Sequence, residues 1–251
     1  MTPDGISEGI TMDAGINMIF SESENLRSLL GIYNSVIFYD TETTGLSPAS
    51  CRIIELAAVR ISMVDGLETV SGMMDSFVRL PAGTHIPPEI VRLTGITDGI
   101  LESEGIDEKS AASEFLSLME GKTVMLAHNA NFDLGFLYAM FNRTHGGAGT
   151  EMLCAADHID TLTVLKDRKP YPHKLCNGIE YYGLAGAVQN THRAIDDVKA
   201  LYAVSKKITG EKDDLHLYAN VFGFNSKYPP GKLPEKLDRK IRRVAQAYRR
   251  F

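Results

Sequence analysis

The 251-residue chain has no tryptophan and only three cysteines. Cys51, Cys154 and Cys176 are odd in number and far apart. That excludes a disulfide framework and fits a reducing compartment. Together with His145, His158 and His173 they also lack the spacing of a metal finger. No apolar run approaches the ~20 residues that span a bilayer, so no membrane attachment is expected. The opening MTPDGISEGI has neither a basic start nor an apolar stretch. No signal peptide is read there, and a cytoplasmic location is expected. Internal repeats and low-complexity tracts are missing as well. What remains is an ordinary globular composition, 44% hydrophobic and 23% charged. Its length allows one generous domain or two small ones, with a core that folds without staples.

The net charge of −6 argues against a nucleic-acid binder only if charge is spread evenly. It is not. Residues 227–251 carry +7 and the rest of the chain −13. Such asymmetry marks a basic arm on an acidic body.

Residues 1–34 are acidic and weakly patterned, and read as a flexible extension that closes in a short helix around Leu26, Leu29 and Leu30. Val36-Ile37-Phe38-Tyr39 is a continuous apolar run, the mark of a strand buried on both faces. Residues 53–61 and 70–80 read as two more strands, so the three form an antiparallel meander. PAGTHIPPEIVRLTGIT reads mostly as loop. Beyond it the pattern alternates. Helices are expected over 108–119, 132–141, 174–182 and 194–208, with strands at 123–127 and around Ile159. The sum is an α/β fold: a mixed sheet with helices packed on it. The organisation expected is an extension over 1–34, a catalytic domain over 35–208 and a basic tail over 209–251.

Acidic residues stand at the ends of these elements. Asp40 and Glu42 close the first strand, and side chains two apart share a face. Two neighbouring carboxylates repel at neutral pH and favour a hard cation such as Mg²⁺ or Mn²⁺ between them. An isolated D-x-E is more often a solvated turn. Asp133 opens a helix, where an acid is more often a cap, but it shares the face of Leu137 and Met140. In HRAIDDVKAL, the apolar stripe runs through Ala194, Val198, Leu201 and Tyr202. At ~100° per residue, Asp196 lies about 200° and Asp197 about 300° from Ala194, so Asp197 borders the core and Asp196 faces solvent. His192 precedes that helix and suits a general base. Each signal is weak alone. Together, four carboxylates and a histidine at three element ends are the equipment of two-metal phosphodiester hydrolysis.

The segments FYDTETTGLSP, RIIELAAVRI, IPPEIVRLTGIT, LAHNANFDLGFL, IDTL, HKLCNGIEYYGL and HRAIDDVKAL occur in that order between Val36 and Leu201. In order and spacing the chain resembles the DEDDh-type 3′–5′ exonucleases, and within them the epsilon-like proofreading exonucleases of bacterial DNA polymerase III. The resemblance implies a ribonuclease H-like fold, a five-stranded mixed sheet with a three-stranded antiparallel meander plus parallel strands. It implies a catalytic set of Asp40, Glu42, Asp133 and Asp197 with His192 as base, and two Mg²⁺ or Mn²⁺ ions as cofactors. Asp40, Glu42 and Asp197 would hold the water-activating metal; Asp40 also contacts the second, which Asp133 supports. Thr41, Thr43 and Leu46 would line the pocket for the 3′-terminal nucleotide, with Asn129 and Phe132 of the same motif beside it. Phe132 suits a core position equally well. Asp160 is read as supporting. One departure is visible: TVLKDRKP stands where the family has an Ala-Arg pair before a proline.

The substrates implied are single-stranded or 3′-frayed DNA. The family also includes trimming nucleases for RNA or short oligonucleotides, and the motifs do not separate the two. A replicative polymerase is the implied protein partner, and a non-catalytic polymerase-associated module is the alternative outside the enzymes. In the tail, Tyr228, Tyr248 and Phe251 interleave with Lys and Arg, which suits a single strand.

Overall fold

The computed structural model describes residues 26–227 and 229–246. Most of the expected flexible extension, residues 1–25, lies outside the described residues, as do Tyr228, Tyr248 and Phe251.

The helical hint before the first strand is realised as α1 (Arg27–Leu30). It is not part of a free extension, because Leu26 and Leu29 are buried in the core. Strand β1 (Ser35–Thr43) is buried along its apolar run and pairs antiparallel with β2 (Ile53–Val64), which pairs antiparallel with β3 (Leu67–Phe77). This is the expected meander. On the other side β1 pairs in parallel with β4 (Thr123–Ala127), which pairs in parallel with β5 (Asp157–Asp160). The sheet order is β3-β2-β1-β4-β5, a five-stranded mixed sheet as expected.

The continuous apolar run of β1 has its reason in the layers. Ile37 and Tyr39 point into one core with α4 (Glu108–Leu118) and α5 (Ala130–Ala155). Val36 and Phe38 point into the opposite core with α7 (Leu175–Tyr181) and α8 (Ala194–Glu211). A strand covered on both faces has no polar side to offer. α6 (Thr161–Arg168), which was not foreseen, follows β5 directly and joins the second core through Val164 and Leu165. α5 breaks at Gly146, whose φ of 58° is open to glycine.

Two expectations are adjusted. The segment read mostly as loop is loop apart from one short helix, α2 (Pro88–Thr94), and α3 (Asp98–Glu104) follows it. Pro88 suits a first helical turn, and Gly95, with φ 73°, ends α2 in a left-handed cap. The second correction concerns residues 209–246, expected as a tail. They hold the end of α8, a 3-10 turn at Leu215–Tyr218, β6 (Val221–Phe224), α9 (Glu235–Lys240) and β7 (Arg242–Ala245). β6 and β7 pair in parallel. Phe222, Leu233, Leu237 and Ile241 are buried in the same core as α5. Leu233, Leu237 and Ile241 are four apart, so α9 and its flanks present one apolar stripe to the domain. Lys240 donates to the carbonyls of Cys154 and Ala155 and pairs with Asp157 at 2.9 Å, closing the C-terminal end of α5. Among the described residues no helix is long and apolar enough to cross a membrane. All three cysteines are free thiols.

Candidate active site

Because β1 and β4 run parallel, their C-terminal ends open on the same sheet edge. β4 stops at Ala127, level with the middle of β1, so residues 40–43 of β1 project past it. Asp40 and Glu42 lie on that projection. A bulge between Glu42 and Thr43 re-aims the strand as it leaves the sheet.

From β4 the chain turns through His128 and Asn129 into α5. Asn129 takes a left-handed conformation with φ 69°, and its backbone N–H, with that of Ala130, donates to Asp160 Oδ1 at 2.9 and 3.3 Å. Asp160 also accepts from the Leu162 N–H and the Thr163 hydroxyl. One buried carboxylate thus satisfies N–H groups at the starts of both α5 and α6. Asp160 is therefore a supporting residue, and its consequence is the placement of Asp133 in the first turn of α5. Asp133 is 3% exposed and accepts from Thr41 Oγ1 at 2.7 Å. The first-turn acid is not exposed as a simple cap; it faces inward, toward the end of β1.

α8 supplies the other side. Asp197 is 6% exposed, whereas Asp196 stands at the surface with Lys199 and Thr191 as partners, as the helical-face reading required. His192 is exposed, with φ 58°, in the turn before α8. Single ligand atoms of Glu42, His192 and Asp197 lie within 4.8 Å of one another.

A neighbour that sequence reading missed holds this turn. Glu55 sits opposite Glu42 across the β1–β2 ladder and is fully buried. Like charges facing each other across a ladder are unfavourable. Here Glu55 is bound by Arg193, with Nη2–Oε1 at 2.9 Å and Nε–Oε1 at 3.0 Å, and by the Ala194 N–H at 3.0 Å. The Arg193 guanidinium also lies 4.9 Å from the Phe77 ring centroid. The clamp fixes the backbone beside His192 to the sheet. Nothing local in RIIELAAV or HRAIDD announces a pairing across 138 positions.

Electrostatically the edge is strained. Burial, then Asp133, Asp197, Glu42 and Glu55, push the Asp40 carboxyl well above its ordinary range. Burial, then Asp197, Glu55 and Asp133, push Glu42 up to about 8, against the opposing Arg193. Burial raises Asp133 to about 7 although the Thr41 hydrogen bond favours its ionised form. Burial raises Asp197 to about 6, opposed by Asn190 and His192. Asp197 Oδ1 is buried with no hydrogen-bond partner among the described residues. A hard, oxygen-lined site with an orphaned carboxylate oxygen fits a divalent cation well.

The residues expected around a nucleotide divide into two groups. Leu46, Asn129 and Phe132 line one cleft beside the acidic edge. Phe132 also packs on Phe136 at 4.9 Å between ring centroids, so it serves core and cleft together. Thr41 and Thr43 do not present their hydroxyls. Both are buried, engaged with Asp133 and with the Gly45 carbonyl at 2.7 Å. Their place beside a terminal nucleotide, through backbone or side chain, remains an expectation. Alternation along β1 puts them on the faces that pack inward, where they shape Asp133 and the turn after the strand.

Comparison with known proteins agrees with this geometry. The chain is similar to the PolC-type DNA polymerase III of Halalkalibacterium halodurans, 31% identical over 83% of this chain and 14% of the relative. It is similar to that of Clostridium perfringens, 28% identical over 88% of this chain and 14% of the relative. It therefore spans only about a seventh of these polymerases. Escherichia coli exonuclease I in complex with a dT13 oligonucleotide shares the fold, with a TM-score of 0.62 at 22% identity over 74% of this chain and 43% of that one. The RNase_T exonuclease family model matches residues 37–205. That stretch runs through every strand and helix that carries the acidic side chains to the sheet edge, and the chain belongs to this exonuclease family.

Proposed function

We propose that this chain is a metal-dependent 3′–5′ exonuclease that removes nucleotides from single-stranded or frayed DNA ends and releases nucleoside 5′-monophosphates. The observation that carries the reading is the group of Asp40, Glu42, Asp133 and Asp197, buried or half-buried and each acting on the others' charge, with the exposed His192 within 4.8 Å of ligand atoms of Glu42 and Asp197. Two Mg²⁺ or Mn²⁺ ions held by these four carboxylates would supply charge neutralisation and water activation. The chain's own residues do the rest. His192, exposed and beside Glu42 and Asp197, accepts the proton of the attacking water. Glu55 and Arg193 hold its turn in place. Asp160 and Thr41 hold Asp133. Leu46 and Phe132 offer apolar surface to a terminal base.

DNA is the substrate favoured here, because the relatives are DNA polymerases and the structural neighbour was solved with a deoxyoligonucleotide. The likeness to a segment of polymerase chains supports a proofreading or repair setting, with a replicative polymerase as partner and the cytoplasm as location. Matched oligomers with 2′-deoxy and 2′-hydroxyl sugars test the choice. The deoxy strand should be degraded with the higher kcat/KM. A preference for the ribo strand would replace this assignment by RNA trimming.

A further inference from the structure

The cleft beside the acidic edge has a wall that the catalytic motifs do not supply. One side is the turn after β1, with Leu46, and the first turn of α5, with Asn129 and Phe132. The other is the strap Pro230–Leu233, from the segment that sequence alone placed in a tail. Asn131 in the first turn of α5 ties the strap to the domain. The Asn131 amide donates to the Gly231 carbonyl at 3.2 Å and accepts from Arg243 at 2.9 Å. Leu233, at the end of the strap, and Leu237 beyond it are buried in the core.

Among the residues lining this cleft, Lys232 is the one charged side chain. Four neighbouring cations of the segment are engaged, Lys236 with Glu151, Arg239 with Glu235, Lys240 with Asp157 and Arg243 with Asp238, while Arg242 is exposed on β7 and does not line the cleft. Lys232 is exposed and has no acidic partner among the described residues. A rigidly seated backbone that carries a free ammonium to the rim of an apolar cleft is suited to a polyanion with planar bases.

We propose that the Pro230–Leu233 strap is part of the substrate cleft, and that Lys232 binds one of the last three backbone phosphates of the single strand. The strap would position the strand; the chemistry stays with the acidic edge. This presupposes the exonuclease reading, and the test separates the two. Steady-state kinetics on a single-stranded deoxyoligonucleotide, across salt concentrations, are compared for the wild type and Lys232→Ala, Lys232→Glu and Lys232→Arg. Lys232→Ala should raise KM about 2–5-fold with kcat unchanged, the size of one exposed charge contact. Its kcat/KM should lose about 0.7 of the slope against log salt, one phosphate on a single strand. Lys232→Glu should do worse, Lys232→Arg should retain the wild-type KM, and melting temperatures should not change. With methylphosphonates at the last three linkages, the oligonucleotide should inhibit wild type and Lys232→Ala equally.

Kinetics of Lys232→Ala and Lys232→Glu matching an active wild type at every salt would overturn the strap's role and leave the exonuclease reading standing. So would an equal loss in Lys232→Arg, or a Lys232→Ala deficit that persists on the methylphosphonate strand. A wild type that degrades no oligonucleotide overturns the exonuclease reading itself.

Discussion

Replacing Asp40 by asparagine should lower kcat by about 10³-fold or more while leaving the protein folded. Asp40 is the carboxylate whose field is shared by Asp133, Asp197, Glu42 and Glu55 together. An amide of the same shape keeps the strand geometry and the packing of Tyr39 behind it. It removes one negative charge from a cluster that repels itself, so metal-free Asp40→Asn should melt at or above the wild-type temperature. Loss of activity with retained or improved stability separates a functional carboxylate from a structural one. Activity within tenfold of wild type would end the assignment of Asp40, and a melting temperature well below wild type would show that its charge is structural.

The second large effect is on stability, through pH and divalent cation. Glu42 is raised to about 8, Asp133 to about 7 and Asp197 to about 6, each from an ordinary value near 4. Raised acids hold protons in the folded state that the unfolded chain has released. Their contribution to stability is therefore fully present below about pH 4 and is lost as pH rises through 6 to 8. Metal-free protein should lose melting temperature across that window. Saturating Mg²⁺ or Mn²⁺ neutralises the same carboxylates. At about 100 times its dissociation constant a cation adds about 2.7 kcal/mol, or roughly 5–10 °C for a chain of this size. The increment should be largest at pH 8 and shrink by pH 5.5, where protons compete for the same oxygens. Differential scanning calorimetry with chelator or metal at three pH values measures this. Melts that coincide with and without metal at pH 8 would contradict the cluster.

These charges were legible in the sequence to an uneven degree. Asp40 and Glu42 could be placed because a four-residue apolar run defines where β1 begins, and alternation then sets their face. Asp197 was separable from Asp196 because eighteen residues of α8 give the helical stripe a clear phase. Asp133 could be read as facing inward from Leu137 and Met140. What the sequence hid was of two kinds. Glu55 with Arg193, and Asp160 with the start of α5, are contacts between segments far apart in the chain, and neither end carries a local pattern that names the other. The C-terminal segment was hidden differently. Its dense positive charge drew attention from Leu233, Leu237 and Ile241, whose spacing of four was a usable helical signal. The inward-facing threonines were open to the same alternation argument that placed Asp40 and Glu42.

The fold also explains why acidity and nucleic-acid chemistry coexist in one chain of net charge −6. The acids at the ends of β1, α5 and α8 raise one another's pKa values at one sheet edge, where they suit cations, while Lys236 and Lys240 of the C-terminal segment are paired at the far end of α5 and the start of β5. The most direct measurement is degradation of a 5′-labelled single-stranded deoxyoligonucleotide by the purified protein with Mg²⁺ or Mn²⁺. The expected result is a ladder that shortens stepwise from the 3′ end, releases nucleoside 5′-monophosphates and stops with chelator. Release of the labelled 5′ nucleotide first, or an intact strand under all metal conditions, would contradict the central claim.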